Sequence, residues 1–369
     1  MGELTYYIEV ADPFGTKLAQ VDRFVSIDLV RGVNAVGVLT LEMDPDTSRD
    51  LFRLDGRLGV WRQPANGPRE LLAETVFLVR RVRRALSKSG ERVLQVTALS
   101  AAHLIDRRIV AYPAGSAQAD KTGPADDLMK AIIRENLGSL APAGRDWSAL
   151  ISVAADSSQG PSVSKGFAWR YCLDVLQELG EQAAQAGNPV YFDFVAPVAG
   201  GLEFRTYTGQ RGLNRSLSSG DPLILSPERG NLADCELIED YTDEATHIYA
   251  GGQGEQADRE IAEASDAARV GGSPFGRIEA WRDARNTSTT AALQAEANAA
   301  LWERRPRRIF SGSIQDTPQC AYGIHWRWGD LVVAQFEGRS YDCHVDTVRI
   351  KVAKGAESIS AQLRAEEWL

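Results

Sequence analysis

Residues 331–364 read LVVAQFEGRSYDCHVDTVRIKVAKGAESISAQLR and show a strand pattern from which the fold class can be predicted. Together with the segment just before it, the stretch predicts four strands joined by turns or short links, not by helices. The predicted strands are Arg308–Ile314, Leu331–Phe336, Tyr341–Val352 and Ser358–Arg364. In the last of them Ile359, Ala361 and Leu363 alternate with polar residues, which is typical of a half-buried sheet. We therefore expect an antiparallel meander.

A similar order of turns and strands occurs near the N-terminus. Asp55-Gly56 precedes a strand there, as Gly329-Asp330 does in the later stretch, and in both places a long strand and a closing strand follow. The earlier strands are predicted at Leu58–Trp61, Leu71–Leu86 and Arg92–Leu99, after three more at residues 3–11, 24–31 and 36–43. The sequence thus predicts two copies of one β module, related by internal duplication.

The segment between the two copies is punctuated by Gly and Pro and predicts helices. One helix begins at Pro124 and stops at Gly138, and another spans about residues 168–186. Strands Val190–Val195 and Leu202–Tyr207 follow. We predict an α+β, mainly β protein with a first module at 1–111, an α/β insertion domain at 112–234, and a second module at 235–369. The second module carries an inserted helix at about 288–304.

Composition and charge exclude several classes of protein. The 369 residues are 44% hydrophobic and 25% charged, as in an ordinary globular protein, with a net charge of -9. A protein that grips nucleic acid needs an excess of Lys and Arg, so we do not expect one. No apolar run is long enough to cross a bilayer and no export signal is visible, so we expect synthesis in the cytoplasm. The cysteines lack a paired spacing and are expected to be free thiols: Cys172, Cys235, Cys320 and Cys343.

Six apolar residues are candidate subunit contacts. They are Val76, Phe77, Leu78, Val79, Trp326 and Trp328. The first four make both faces of one predicted strand apolar, and a second subunit is one way to cover the second face. The two tryptophans share a predicted strand face, where packing or an interface is commoner than sugar stacking.

Four arginines continue the strand that holds the first of these candidates. They are Arg80, Arg81, Arg83 and Arg84, and they place positive charge on both faces. With an acidic chain, a solvated strand end or a set of ion pairs explains them better than a nucleic-acid contact.

No pattern in the sequence predicts a catalytic residue, a cofactor or a metal. Residues 252–257 spell a dinucleotide fingerprint, but Glu255 would repel phosphates and the alternating strand and helix units of such a fold are missing. The Cys and His residues after position 319 lack the spacing of zinc ligands, and no nucleophile motif is present. A carboxylate pair for glycan cleavage stays an open alternative, because the sequence does not give the distance between two carboxyl groups.

Several segments resemble the tail-hub family of long-tailed bacteriophages. They are Arg170–Leu176, Gly201–Thr206, Leu225–Leu232, Gly251–Gly254 and Arg304–Arg308, together with Phe24–Asn34 and Val36–Met43. The resemblance extends over nearly the whole chain, and its motifs are structural, not catalytic.

The resemblance implies a tail-tip or baseplate hub. Hubs of this kind contain two tube-like antiparallel β barrels per chain, and three chains form a ring of six barrels around a channel. Such a homotrimer adapts the sixfold tail tube to threefold symmetry and contacts tail tube and distal tail proteins, and tip, fibre or spike proteins. DNA passes through without specific binding, which an acidic channel would favour. The implied location is the tail tip of the virion, after assembly in the host cytoplasm, with no cofactor.

Two other functions stay open. The same architecture suits the hub of a contractile injection system that carries a spike or effector. A tail-associated cell-wall hydrolase would use carboxylates of the insertion domain. The sequence ends at Trp368-Leu369, directly after its last predicted strand. We therefore expect wall degradation or host recognition to belong to another polypeptide, or to be absent. From the lack of any catalytic motif we expect that this chain is not an enzyme.

Overall fold

The structure is a computed structural model. It describes residues 5–64, 68–86, 88, 90, 92–111, 119–167, 169–197, 201–254, 258–285, 287, 289–353 and 355–368. The start of the predicted strand 3–11, the first residues of the helices predicted at 168 and 288, and the end of the glycine fingerprint at 255–257 lie outside these ranges.

The protein is mainly β, as predicted. The strands are β1 (Thr5–Ala11), β2 (Lys17–Val21), β3 (Phe24–Gly32), β4 (Val38–Met43), β5 (Arg57–Gln63), β6 (Glu70–Leu71), β7 (Phe77–Leu86), β8 (Arg92–Ser100), β9 (Ala119–Pro124), β10 (Ile151–Val153), β11 (Ser162–Phe167), β12 (Val190–Val195), β13 (Leu202–Thr208), β14 (Ile224–Leu225), β15 (Leu232–Asp240), β16 (His247–Gly251), β17 (Ile261–Ser265), β18 (Glu279–Asp283), β19 (Arg307–Gln315), β20 (Leu331–Phe336), β21 (Arg339–Ala353) and β22 (Ala356–Trp368). The α-helices are α1 (His103–Asp106), α2 (Ala125–Asn136), α3 (Cys172–Gln185), α4 (Ala267–Gly271) and α5 (Thr290–Glu303).

The largest sheet has the strand order β15-β19-β22-β21-β3-β4-β8-β7-β5-β1-β2. Three short or branching strands extend it, because β20 pairs with β21, β14 pairs with β20, and β6 pairs with β5. Among the described strands the two ends do not pair, so the sheet is open within the single chain. The smaller sheets have the orders β10-β13-β12, β11-β9 and β17-β16-β18.

Alternation of apolar and polar residues fixes the register of the first module. Leu29 of β3 lies opposite Leu39 of β4, and Leu41 of β4 lies opposite Val96 of β8. All four side chains are fully buried, whereas most residues between them are partly exposed. A slip of one residue would turn this whole set toward water, so the register is strongly specified.

Helices α2 and α3 cover the sheet β10-β13-β12 with their apolar stripes. Ile132 of α2 and Leu179 of α3 are buried in one core with the aromatic residues of β12 and β13. Phe194 and Phe204 meet edge to face there, with ring centroids 5.5 Å apart. Each large apolar side chain buried in this way contributes about 1.5–3 kcal/mol, which holds the helices on the sheet.

The chain divides into two compact units, Met1–Ala233 with Ser313–Leu363 and Asp234–Gly312 with Arg364–Leu369. In the second unit α5 packs against β16 and β17, and Leu293 and Ala297 are buried with Ile248. The division into three domains that we drew from the sequence stays a prediction.

The predicted long strand Leu71–Leu86 is interrupted in the structure. A 3-10 turn at Leu72–Glu74 separates β6 from β7, and Ala73 and Glu74 have positive φ values of 58° and 53°. The sequence carries no glycine or proline to mark this turn, so the apolar pattern runs on unbroken. Strands β2, β17 and β18 were not predicted, because they are short and rich in Ala or charged residues.

Candidate functional site

Two turns of the large sheet have the same hydrogen bonds. In the first, the amide of Gly56 donates to the carbonyl of Arg53 at 3.0 Å. In the second, the amide of Asp330 donates to the carbonyl of Arg327 at 3.2 Å. The third residue of each turn, Asp55 or Gly329, has a left-handed φ, of 59° and 84° respectively.

Each turn also holds one valine of the following long strand. The amide of Val79 donates to the carbonyl of Gly56, the fourth residue of the first turn, at 2.9 Å. The carbonyl of Val79 accepts from the amide of Asp55, the third residue, at 3.1 Å. Val345 makes the same two bonds with the second turn, at 2.8 and 3.0 Å. Val79 and Val345 are therefore equivalent positions in two copies of one unit.

The strand order repeats around these turns. The first copy has the order β3-β4-β8-β7-β5, and the second has β15-β19-β22-β21-β20. In both, the closing strand lies between the second strand and the long strand, and the strand after the turn lies beyond the long strand. This repeated order agrees with the internal duplication that the sequence predicts.

The second half of β21 joins the two copies. It pairs with β3 from Thr347 opposite Gly32 to Ala353 opposite Ser26. On the exposed side Arg349 donates two hydrogen bonds to Asp28, at 2.9 Å from Nε and 2.6 Å from Nη2. The hydrogen bonding with Arg349 lowers the pKa of the Asp28 carboxyl, despite some burial. A backbone ladder and an ion pair together form this join. Neither residue was predicted, although an acid on β3 and a base on β21 are visible in the sequence.

The second half of β7 has no such neighbour. β5 pairs only with Phe77 and Leu78, and from Arg81 to Leu86 the strand pairs with β8 alone among the described strands. Arg81, Arg83 and Arg84 are exposed, as are 70% of Leu86 and 37% of Val82. This half of β7 is an open, basic sheet edge.

The structure places the first four candidate contact residues inside the chain. Phe77, Leu78 and Val79 are at most 3% exposed, and Val76 is half-buried against the core of the α2 and α3 region. The chain itself therefore covers the second apolar face of the strand. That removes the reason we gave for a subunit contact here, and the contact itself stays a prediction.

Trp326 and Trp328 are also buried, at 1% and 6% exposed. The sequence predicts that they lie on a strand. In the structure they lie in a segment of turns and isolated bridges instead. Trp326 donates from its indole nitrogen to the carbonyl of Cys320 at 3.0 Å and meets Tyr322 edge to face. Both tryptophans pack within the chain, and a role in a subunit contact stays a prediction for them too.

A cleft of about 970 Å³ opens in the first unit, between the first module and the strands β12 and β13. Arg69 stacks over Trp61 at 4.0 Å, and Arg211 stacks over Tyr207 at 4.3 Å. Arg211 also donates to Glu74 at 2.9 Å. Both cations are stacked on aromatic rings, and Arg211 is also neutralised by Glu74, so the geometry favours a structural role for them.

Two carboxylates in the first turn of α2, Asp126 and Asp127, fasten a loop. Asp126 accepts from the amide of Gly160 at 2.8 Å and Asp127 from the amide of Ser157 at 2.9 Å. Burial raises the pKa of Asp127, but hydrogen bonds with Ser158 and Ser157 outweigh it and lower the pKa to about 2. A glycosidase needs one carboxyl with a raised pKa as its acid, which neither residue provides.

The described residues offer no group of three or more His, Cys, Asp or Glu side chains that could hold a metal ion. His325 accepts a hydrogen bond from the amide of Ala321 at 2.9 Å. In the glycine fingerprint, Gly254 has a φ of 97° in a turn where Gly252 bonds to Glu260 at 2.8 Å. Within the same described part of the chain, no helix is long and apolar enough to span a membrane.

A family profile matches most of this chain. Residues 7–363 match the sequence profile of the Siphovirus ReqiPepy6 Gp37-like protein family. A search among proteins with curated descriptions gave no significant match.

Solved structures of tail proteins share the fold at low sequence identity. The tail protein of Neisseria meningitidis MC58 is 12% identical with a TM-score of 0.54, and the match covers 98% of this chain and 97% of that one. Prophage tail protein gp18 of Listeria monocytogenes EGD-e is 12% identical with a TM-score of 0.54, covering 97% and 94%. The 43 kDa tail protein of prophage MuSo2 from Shewanella oneidensis is 14% identical with a TM-score of 0.56, covering 97% and 98%.

Proposed function

This chain belongs to the Siphovirus ReqiPepy6 Gp37-like family of phage tail proteins, and on that premise we propose that it is a trimeric hub of the tail tip or baseplate. In this role it adapts the sixfold tail tube to threefold symmetry and forms part of the DNA ejection channel. Its partners are tail tube and distal tail proteins on one side and tip, fibre or spike proteins on the other.

The repeated unit is the observation that carries the proposal. The equivalent bonds of Val79 and Val345 and the repeated strand order support two similar modules per chain. Three chains would present six modules, which is the number that a sixfold tube requires. An odd count of modules per chain would not reconcile the two symmetries in this way.

Closure of the β modules is part of the same proposal. The large sheet is open among the described strands of a single chain. We propose that the two modules become tube-like barrels when neighbouring chains supply strands or cover faces, with the α/β insertion between them. Open edges invite pairing with another chain, and a closed ring removes them.

We further propose that the protein is structural and not an enzyme. Asp126 and Asp127 hold a loop with lowered pKa values, which supports this view for the insertion. Zymography of the purified protein on bacterial cell walls tests it. We expect no clearing; clearing that a single carboxylate substitution abolishes would establish a hydrolase instead.

The mass of the purified chain in solution tests the assembly. Native mass spectrometry should find a species of three times the 40.3 kDa chain mass. A chain that stays monomeric at every concentration up to the millimolar range, or that forms a hexamer, would contradict the proposed trimer.

A further inference from the structure

We propose that the open edge of β7, Arg81–Leu86, pairs with the outer edge of β15 from a second copy of this chain. In that contact Arg83 binds the partner subunit's Glu236. The inference rests on the trimer proposed above and names the surface that joins one chain to the next.

The position of Arg83 follows from the equivalence of the two long strands. Val79 and Val345 make the same bonds to their turns. Arg83 lies four residues after Val79, and Arg349 lies four residues after Val345. Both strands have one irregular step directly after the valine. In β7 the register shifts between Val79 and Arg81, and in β21 two partly exposed residues separate the buried Val345 and Val348. Arg83 is thus the counterpart of Arg349.

The position of Glu236 follows from the first strand of each copy. β3 and β15 occupy the same place in the repeated order, and β15 is the outermost described strand on its side. Asp28-Leu29-Val30 of β3 matches Glu236-Leu237-Ile238 of β15 in residue type. Glu236 is exposed and Leu237 half-buried, the same alternation that Asp28 and Leu29 show. Glu236 is thus the counterpart of Asp28.

The two edges have opposite charges. The β7 edge carries Arg81, Arg83 and Arg84. β15 carries Asp234, Glu236 and Asp240, besides Glu239, which already binds Arg308 of the same chain at 2.7 Å. Within one chain Arg349 and Asp28 already show the contact that such edges make, a ladder with a bidentate ion pair. The basic edge of β7, whose residues are exposed on both faces, and the acidic outermost strand β15 form the same kind of ladder and ion pair between chains. Because the two surfaces differ, the contact repeats from chain to chain and closes into a ring.

A charge swap tests the contact. Arg83→Glu or Glu236→Arg places like charges opposite each other and should weaken each contact about tenfold, which compounds to about a thousandfold in the overall constant of a ring with three contacts. The double variant Arg83→Glu with Glu236→Arg should restore assembly. Arg285→Glu, on a side chain that is 69% exposed, reverses a charge elsewhere and should leave assembly unchanged. Native mass spectrometry and sedimentation measure the oligomer, and circular dichroism checks that each variant is folded.

A cysteine pair tests the register independently. Arg349 lies opposite Val30 in the join within the chain, so Arg83 should lie opposite the partner subunit's Ile238. Arg83→Cys with Ile238→Cys should therefore form covalent oligomers on oxidation, and Arg83→Cys with Leu237→Cys, whose side chains face opposite sides, should not.

The outcomes separate the two proposals. If the wild type is a trimer and neither the charge swap nor the cysteine pair has the expected effect, the β7–β15 contact is wrong and the trimer stands. If the wild type is a monomer throughout, the proposed trimer is wrong and this contact with it.

Discussion

Arg31 and Asp193 form a buried ion pair between β3 and β12, with side chains that are 1% and 2% exposed. Arg211 donates to the other oxygen of the same carboxylate at 3.2 Å. Both guanidinium groups also lie over the ring of Trp328, at 4.9 and 4.4 Å. One carboxylate thus binds two cations in the interior of the first unit, and Glu74 binds the second of them as well.

Asp193→Ala should lower the free energy of unfolding by about 3–5 kcal/mol, because it leaves the buried Arg31 without a counter-charge and leaves Arg211 with Glu74 alone. Urea unfolding of the purified protein measures the loss. Glu203→Ala is the matched control: its partner Arg205 is 44% exposed, so its loss should stay below about 1 kcal/mol. Equal, small losses for the two variants would show that Asp193 does not hold this part of the fold.

Gly329→Ala should destabilise the second turn more than a left-handed φ alone explains. Its φ is 84°, and an added Cβ would lie 2.6 Å from Cγ of Arg211. Gly338→Ala has a similar φ of 74° with open space around it, so it isolates the backbone cost of about 1 kcal/mol. We expect the Gly329 variant to lose about 1–3 kcal/mol more in thermal or urea unfolding, and equal losses would contradict the close packing.

The repeated turns were predictable from the sequence because their signals are local. Asp55-Gly56 and Gly329-Asp330 stand before strands in both copies, and the structure gives Asp55 and Gly329 the left-handed φ that such turns need. The helices in the middle segment were predictable for the same reason, since Pro124 directly precedes α2 and Gly138 follows it within two residues.

The joins between distant segments were not predictable. β21 pairs with β3 across more than 300 residues of sequence, and nothing in either strand alone specifies its partner. The burial of Val76–Val79 and Trp326 by the chain itself depends on the same long-range packing. For that reason the apolar strand suggested a neighbouring subunit where the structure has internal core. The likeness of Asp28-Leu29-Val30 to Glu236-Leu237-Ile238 was readable but had no meaning without the strand order.

The Asp28–Arg349 pair should contribute modestly to stability. Its arginine side chain is 48% exposed, so a double-mutant cycle of Asp28→Ala and Arg349→Ala should give a coupling free energy of about 0.5–1 kcal/mol. Coupling should fall at high salt, since exposed charges are screened. A coupling free energy of zero at low salt would show that the ion pair does not stabilise the pairing of β21 with β3. It would also weaken the use of the Asp28–Arg349 pair as a template for Arg83.

Asp127 should make the stability of the protein depend on pH. Its pKa is about 2 in the folded protein, below the value of about 3.9 in an unfolded chain. Between these values the unfolded chain binds more protons, so the contribution is present above about pH 4 and is lost as the pH falls toward 2.

Asp127→Asn serves to isolate this contribution. The difference in unfolding free energy between wild type and variant should be constant above about pH 4 and shrink toward pH 2. Urea unfolding at a series of pH values measures it. A difference that does not change over this range would show that the contacts with Ser157 and Ser158 do not depend on the carboxylate charge.

A reconstruction of the assembled tail tip would test the proposed trimeric hub most directly. We expect three copies of the chain around a threefold axis, with six β modules surrounding a channel beneath the tail tube. One copy, or six copies, of the chain at that level of the tail would contradict it.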